Sequence, residues 1–208
     1  MTRTTTAPTE GRRELNMRRK HERIRNAAAD LFDTHGFDAV TTQAIADAAD
    51  VAAGTVFRYA ASKSELLLMV YNERLGHAIA AGTTAACAET DPIRAVNALL
   101  DPMLDEAHAH PENAVAYQRE LLFGDPLQEY RALGLAQIAD LEETIARLLL
   151  AGGDHPRSGA DQAAAAIFAA SHLVIARLAT GAHPGRSAVA DLHHQVELIV
   201  TGWLALHP

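Results

Sequence analysis

The sequence predicts an all-α protein of about nine helices: an N-terminal three-helix unit followed by a larger C-terminal helical domain. Three observations carry this. The 208-residue chain is 49% apolar but only 5% aromatic, with alanine dominant, which favours close helix packing over sheet. Its apolar residues recur at steps of three and four. Helix-start signals, Asp-Pro pairs and Ser-x-x-Glu among them, punctuate it at regular intervals.

The elements follow in order. Residues 1–17 read as a flexible arm, polar and threonine-rich around Pro8. From Arg18 the pattern turns helical, with Ile24, Ala28, Leu31 and Phe32 on one apolar face up to His35-Gly36. Thr41 or Thr42 caps a second, short helix carrying Ile45 and Ala49. Asp50-Val51-Ala52 is a tight connection into a third helix that runs through Tyr59. Ser62-Lys63-Ser64-Glu65 is a capping box opening a fourth helix to near Gly82. Asp91-Pro92 opens a fifth, and Asp101-Pro102 predicts a kink or split within it. His110-Pro111 begins a sixth, to near Gly124. Asp125-Pro126-Leu127-Gln128 begins a seventh, stopped by Gly152-Gly153. Ser158 opens an eighth, to about Gly181–Pro184, and a ninth runs from about Ser187 to Leu206. The organisation expected is an arm at 1–17, a head at 18–64 and a body at 65–208.

Composition excludes some classes. No window holds the ~18 uninterrupted apolar residues of a membrane span, and MTRTTTAPTEGRRELNMRRK lacks the apolar run of a secretory signal. Cys87 is the single cysteine, so no internal disulfide forms and a reducing cytoplasm is the expected location. The net charge of -8 is unevenly spread. The first 25 residues hold eight basic and three acidic side chains, whereas the body is acidic, a balance suited to a DNA-reading head on a body with another task.

The stretch VAAGTVFRYAASKSELL, Val51 to Leu67, explains the head. Two short helices joined by a tight turn, with a third before them, describe a helix-turn-helix. Asp50 occupies the turn position, where aspartate tolerates the left-handed region. The second helix of such a unit enters the major groove. Ala53 and Gly54 let its backbone approach DNA closely, while Thr55 and Val56 offer a hydroxyl and methyls to bases. Arg58 reaches a base or phosphate, and the Tyr59 hydroxyl and Lys63 ammonium bond the DNA backbone. Phe57 divides its role between packing and DNA.

Through AAADLFDTHGFDAVTTQAIADAADVAAGTVFRYAASKSELL, Ala27 to Leu67, the sequence resembles the tetracycline-repressor family of bacterial regulators. The glycine, the threonines, Ile45-Ala46, Gly54-Thr55, the aromatic at 57 and Lys63 stand in their family places, over about a fifth of the chain. Three residues depart from the pattern. Ala52 sits where serine often caps the recognition helix, Phe57 replaces a frequent tyrosine, and Ala60 stands where a large aromatic is usual. The resemblance implies that Thr41, Thr42, Gln43, Thr55, Arg58, Tyr59 and Lys63 face DNA. For the body it implies a helical domain that binds a small effector and dimerises, so that two heads read an operator with two-fold symmetry. No cofactor is expected.

Residues of the body were assigned on pattern. Val189, Leu192, Val196, Ile199, Trp203 and Leu206 recur at alternating steps of three and four, a narrow seam suited to helix pairing. With Ala166 and Ala170 of the alanine-rich eighth helix they form the expected homodimer interface. An apolar or aromatic effector is assigned to Met69, Met103, His108, Tyr117, Phe123, Tyr130 and Leu133. Two alternatives stay open: the same head without a small-molecule trigger, and a helical metalloenzyme. The latter rests on Asp105-x-x-His108 and Asp191-x-x-His194, whose spacing puts a carboxylate and an imidazole on one helical face.

Overall fold

The structure, a computed structural model, describes residues 11–151, 153, 156–181 and 185–206; most of the expected arm lies outside them. Every regular element among the described residues is a helix. The head comprises α1 (Arg12–His35), α2 (Thr42–Ala48) and α3 (Ala53–Val56). The body comprises α4 (Lys63–Ala86), α5 (Pro92–Ala109), α6 (Pro111–Phe123), α7 (Glu129–Leu150), α8 (Arg157–Thr180) and α9 (Ala188–Leu206).

Local chemistry sets most boundaries. Gly36 ends α1 at φ 77°, its amide donating to Phe32 O at 2.9 Å. Thr41 Oγ1 accepts from Ala44 N (3.1 Å) at the start of α2, and Asp91 Oδ1 accepts from Arg94 N (3.0 Å) at the start of α5. At α4, Ser62 Oγ accepts from Glu65 N (3.1 Å). The capping box closes differently from expectation: Glu65, itself buried, accepts from Ala61 N (2.6 Å) and from Glu129 N (2.9 Å). One carboxylate thus ties the start of α4 to the start of α7.

Three expectations need correction. The first helix starts at Arg12, so residues 12–17 are helical, not part of an arm. The third is a four-residue helix followed by turns at 57–59. The fifth runs unbroken through Pro102, because its packing against α4, α7, α8 and α9 outweighs the missing amide.

Two clusters of buried side chains divide the molecule. One joins α5, α7, α8 and α9; the other joins the three head helices to the first half of α4 and the middle of α6, and Phe168 touches both. The expected boundary at 64/65 is therefore one of chain, not of packing. Within α4, Gly82 lies against α5: a Cβ there would stand 2.1 Å from Leu99 O. By length and composition α8 could cross a membrane, yet it is wedged among α6, α7 and α9.

Three residues of the predicted dimer seam lie in the protein's own core. Leu192 and Val196 are 0% exposed and Trp203 5%, all three in the intramolecular core with α5, α7 and α8. Ile199 packs partly against the same core. The outward apolar face of α9 carries Leu198 and Gly202 beside the predicted Leu206, and that of α8 carries Ala165, Ala169 and Leu173 beside the predicted Ala166, with Ala170 half-buried. A three-four stripe tells which face is apolar, and here the chain's own helices cover it.

Because Gly82 meets backbone, which cannot yield, Gly82→Ala should force α4 and α5 apart and cost about 1–3 kcal/mol or more. Urea unfolding checks this; an unchanged midpoint would mean the helices separate freely.

Candidate functional site

The head is built around its turn. Asp50 takes φ 50°, the left-handed conformation that reverses the chain between α2 and α3. Arg23 of α1 clamps it, its guanidinium donating to Ala49 O (3.0 and 2.6 Å) and to Asp50 O. Sequence reasoning missed Arg23, because no local pattern links residues so far apart.

The predicted DNA-facing residues separate into two groups. Thr41, Gln43, Gly54, Phe57 and Arg58 are exposed, and Thr42, Ala53 and Thr55 are half-buried. Nothing lies within 4 Å of where a Gly54 side chain would be, so a duplex can approach the α3 backbone there. Val56, by contrast, is fully buried in the head core and is not available to bases; it occupies the α3 position that holds the helix on its scaffold. Tyr59 turns back to α1, its hydroxyl donating to Met17 O (3.3 Å) and its ring lying 5.8 Å from His21. The Lys63 ammonium donates to Phe37 O (2.9 Å) and Asp38 O (3.3 Å) and sits 4.4 Å above the Phe37 ring. Two of its three N–H bonds serve the α1–α2 loop, so its first role is to hold the head together.

The body contains a cavity walled by α4 to α8, about 620 Å³ of atom-free space with its mouth included. Its surface is almost wholly apolar, from Leu75, Ala78, Leu121, Ile138, Leu141 and Ile175. Polar groups stand at intervals: Tyr71, Arg74, Glu106, Gln118 and His172. Burial pushes the Tyr71 hydroxyl up to about 12, against the opposing influence of Arg74, and raises that of Tyr117. His172 is pushed down by burial, which keeps its imidazole neutral, and its Nε2 has no hydrogen-bond partner.

Of the predicted effector residues only Met103 and Tyr117 line this cavity. Met69 belongs to the head-side core. His108 is exposed, one residue beyond Glu106 and Ala107 and turned away from them around α5. Phe123 (82%) and Leu133 (51%) are solvent-exposed, and Tyr130 is engaged with His21 (2.9 Å). The missed polar residues, Arg74, Glu106, Gln118 and His172, come from four helices and share no sequence signal. The spacing that suggested a metal does not converge: Asp191 pairs with Arg177 and Arg186, and no group of three metal-ligating side chains occurs among the described residues.

The cavity wall is fastened to the head. Arg74 donates to Asp33 of α1 (2.6 and 3.0 Å) and to Glu106 of α5 (3.0 Å). Asn113, in the first turn of α6, accepts from Phe37 N (2.7 Å) and donates to Phe32 O (2.8 Å), both buried. Four residues along the same helix, Tyr117 faces the cavity and donates to Asn72 Oδ1 (2.9 Å).

The sequence model described as bacterial regulatory proteins, tetR family, matches residues 24–70, the segment that holds the clamped turn and α3. The head therefore carries the sequence pattern of the tetR family. The chain is 30% identical over 108 residues to the HTH-type transcriptional repressor KstR of Mycobacterium tuberculosis, a match covering 52% of this chain and 49% of that protein. It thus spans about half the length of the curated relatives it matches. Over the whole fold it is similar to Thermus thermophilus FadR, a tetR-family transcriptional repressor solved with lauroyl-CoA. That likeness has a TM-score of 0.71 and 25% identity over 88% of this chain and 94% of FadR. The fatty acid degradation regulator FadR of Bacillus halodurans has the same fold, with a TM-score of 0.60 and 20% identity over 95% of this chain and 97% of that one. The matched head contains Thr41–Gln43 and α3, whereas the cavity lies wholly outside the matched segment.

Two outcomes follow from the site. Lys63→Ala should lower the stability of the DNA-free protein by about 1–3 kcal/mol, because Phe37 O and Asp38 O lose their donor; a denaturant curve unchanged from wild type would contradict this role. His172 binds its proton less readily folded than unfolded, so stability is lost as pH falls below the unfolded value of 6.5 towards the lower folded one. His172→Gln should be less sensitive over that window, as thermal melts at pH 7 and pH 5 would reveal.

Proposed function

We propose that this chain is a homodimeric transcriptional repressor, released from operator DNA by a small apolar molecule in the body cavity. The observation that carries this is the bond pair of Asn113. The helix that walls the cavity is the one pinned to the end of α1, so a guest that displaces α6 moves the head. Arg74 of α4 adds a second link, between the opposite wall of the cavity and α1.

The almost wholly apolar lining suits an alkyl or acyl chain, with the few polar groups orienting a carbonyl or hydroxyl. The lauroyl-CoA held by Thermus FadR supports an acyl ligand class here. Exposed small and aliphatic residues on α8 and α9 suit a four-helix interface between two copies, with Leu173 and Leu198 near its centre. Two heads then read half-sites about one or more ~34–36 Å helical turns apart. A cytoplasmic location follows from that role.

Three measurements test the reading. With an operator recovered by selection from random duplex DNA, lauroyl-CoA or free laurate should weaken binding and raise the melting temperature of the free protein. If a broad panel of acyl and aromatic compounds leaves both unchanged, the ligand-released mechanism is wrong. Leu173→Glu combined with Leu198→Glu should give a folded monomer with poor operator affinity, because like charges then meet across the two-fold axis; a dimer in sedimentation would overturn that interface. Asn113→Ala should still bind the acyl ligand yet show a smaller ratio of DNA affinities with and without it. An unaltered ratio would remove Asn113 from the mechanism.

A further inference from the structure

We infer that the first turns of α1 and the end of α3 form a cationic cleft that holds duplex backbone phosphate beside the recognition helix. This rests on the DNA-binding reading above and adds the α1 wall of the cleft, which the family match, starting at residue 24, does not reach.

Arg13, Asn16, Met17 and Lys20 fall at i, i+3, i+4 and i+7, one face of α1. Below them the same face continues through His21 and Ile24 to Ala28, where it becomes head core. Above Ile24 it overhangs that core and carries cations instead of apolar groups. Tyr59 locks the overhang to α3 through Met17 O and the His21 ring, leaving a cleft with Arg13, Asn16 and Lys20 on one wall and Thr55 and Arg58 on the other. Among the described residues no carboxylate lines it.

Several cations of α1 are already engaged. Arg18 pairs with Glu22, Arg23 clamps the turn and Arg25 pairs with Glu73 at 2.7 Å. Arg13, Lys20 and Arg58 are exposed and make no ion pair among the described residues. Cations left unneutralised in one concave surface attract a polyanion. The cleft shares Thr55 and Arg58 with the expected base-reading surface, so the polyanion that fits it is the same duplex. Arg13 and Lys20 stand about 10 Å apart along the helix axis at ~1.5 Å per residue. With one duplex charge per ~1.7 Å of axis, each meets its own phosphate.

The test uses the full chain and a fluorescein-labelled mixed-sequence duplex of ~30 bp, titrated by anisotropy between about 50 and 200 mM KCl. Arg13→Gln with Lys20→Gln keeps good helix formers on exposed positions. The slope of log affinity against log salt should become shallower by about two, with base preferences in a random-duplex selection unchanged. Lys20→Arg alone should retain the wild-type slope, as should Arg94→Ala on the distant α5. A double variant with the wild-type slope, or one with altered base preference and that slope, overturns the cleft while leaving the DNA-binding reading intact. Wild-type protein that shows no salt-dependent association overturns both.

Discussion

One buried carboxamide sets the relation between the two halves of the molecule. At the end of α1 the Phe32 carbonyl takes its regular helix bond from Gly36 N and still offers a second lone pair, next to the buried Phe37 amide of the following loop. Asn113, 3% exposed, satisfies both. Leaving the Phe37 amide unpaired would cost about 1–3 kcal/mol, so the start of α6 stays within hydrogen-bond reach of the head. Pro111 begins that helix, and its fixed geometry stiffens the turn from which Asn113 projects. The position of the cavity wall relative to the head is therefore a matter of two short bonds on a rigid rod.

The charges of the head divide by task in the same way. Arg23 and Lys63 spend their donors on backbone carbonyls of the turn and loop, and Arg25 and Arg74 on carboxylates of neighbouring helices. These cations build the scaffold. Arg13, Lys20 and Arg58, exposed and without an ion pair among the described residues, lie around α3. An overall charge of -8 does not oppose this arrangement, because at physiological salt exposed charges more than ~8 Å away are largely screened. The acidic body contributes little to the field at the α1–α3 surface.

How much of this was legible in the sequence depends on whether a signal was local. The all-α class, most helix starts, Gly36 and the left-handed Asp50 follow from neighbours in the chain, and the structure has them. The stripe on α9 was legible as apolar, but not which surface covers it; α5 and α8 do, so Leu192, Val196 and Trp203 are core. Val56 shows the same ambiguity on a shorter scale, since a four-residue helix must bury something to be held. The cavity was least legible. Its polar groups converge from four helices, and a stagger of one residue, as between Ala107 and His108, turns a side chain from the lining to the surface.

The packing also decides where the cavity can give. On one side α4 and α5 meet backbone to backbone at Gly82 and Leu99, with no side chain between them to adjust. On the other, Gln118 makes a long 3.3 Å bond to His172 O, and His172 Nε2 has no partner at all. A guest that needs more room gains it at lower cost by separating α6 from α8 than α4 from α5, because dense, backbone-limited contacts resist strain most. The wall with the least resistance is thus α6, whose first turn carries Asn113. Under the proposed mechanism the stiff α4–α5 pair would supply the fixed reference for that helix, and Arg74 joins that pair to Asp33 of the head. Displacement and anchorage both arrive at the last turn of α1, one through a carboxamide and the other through an ion pair.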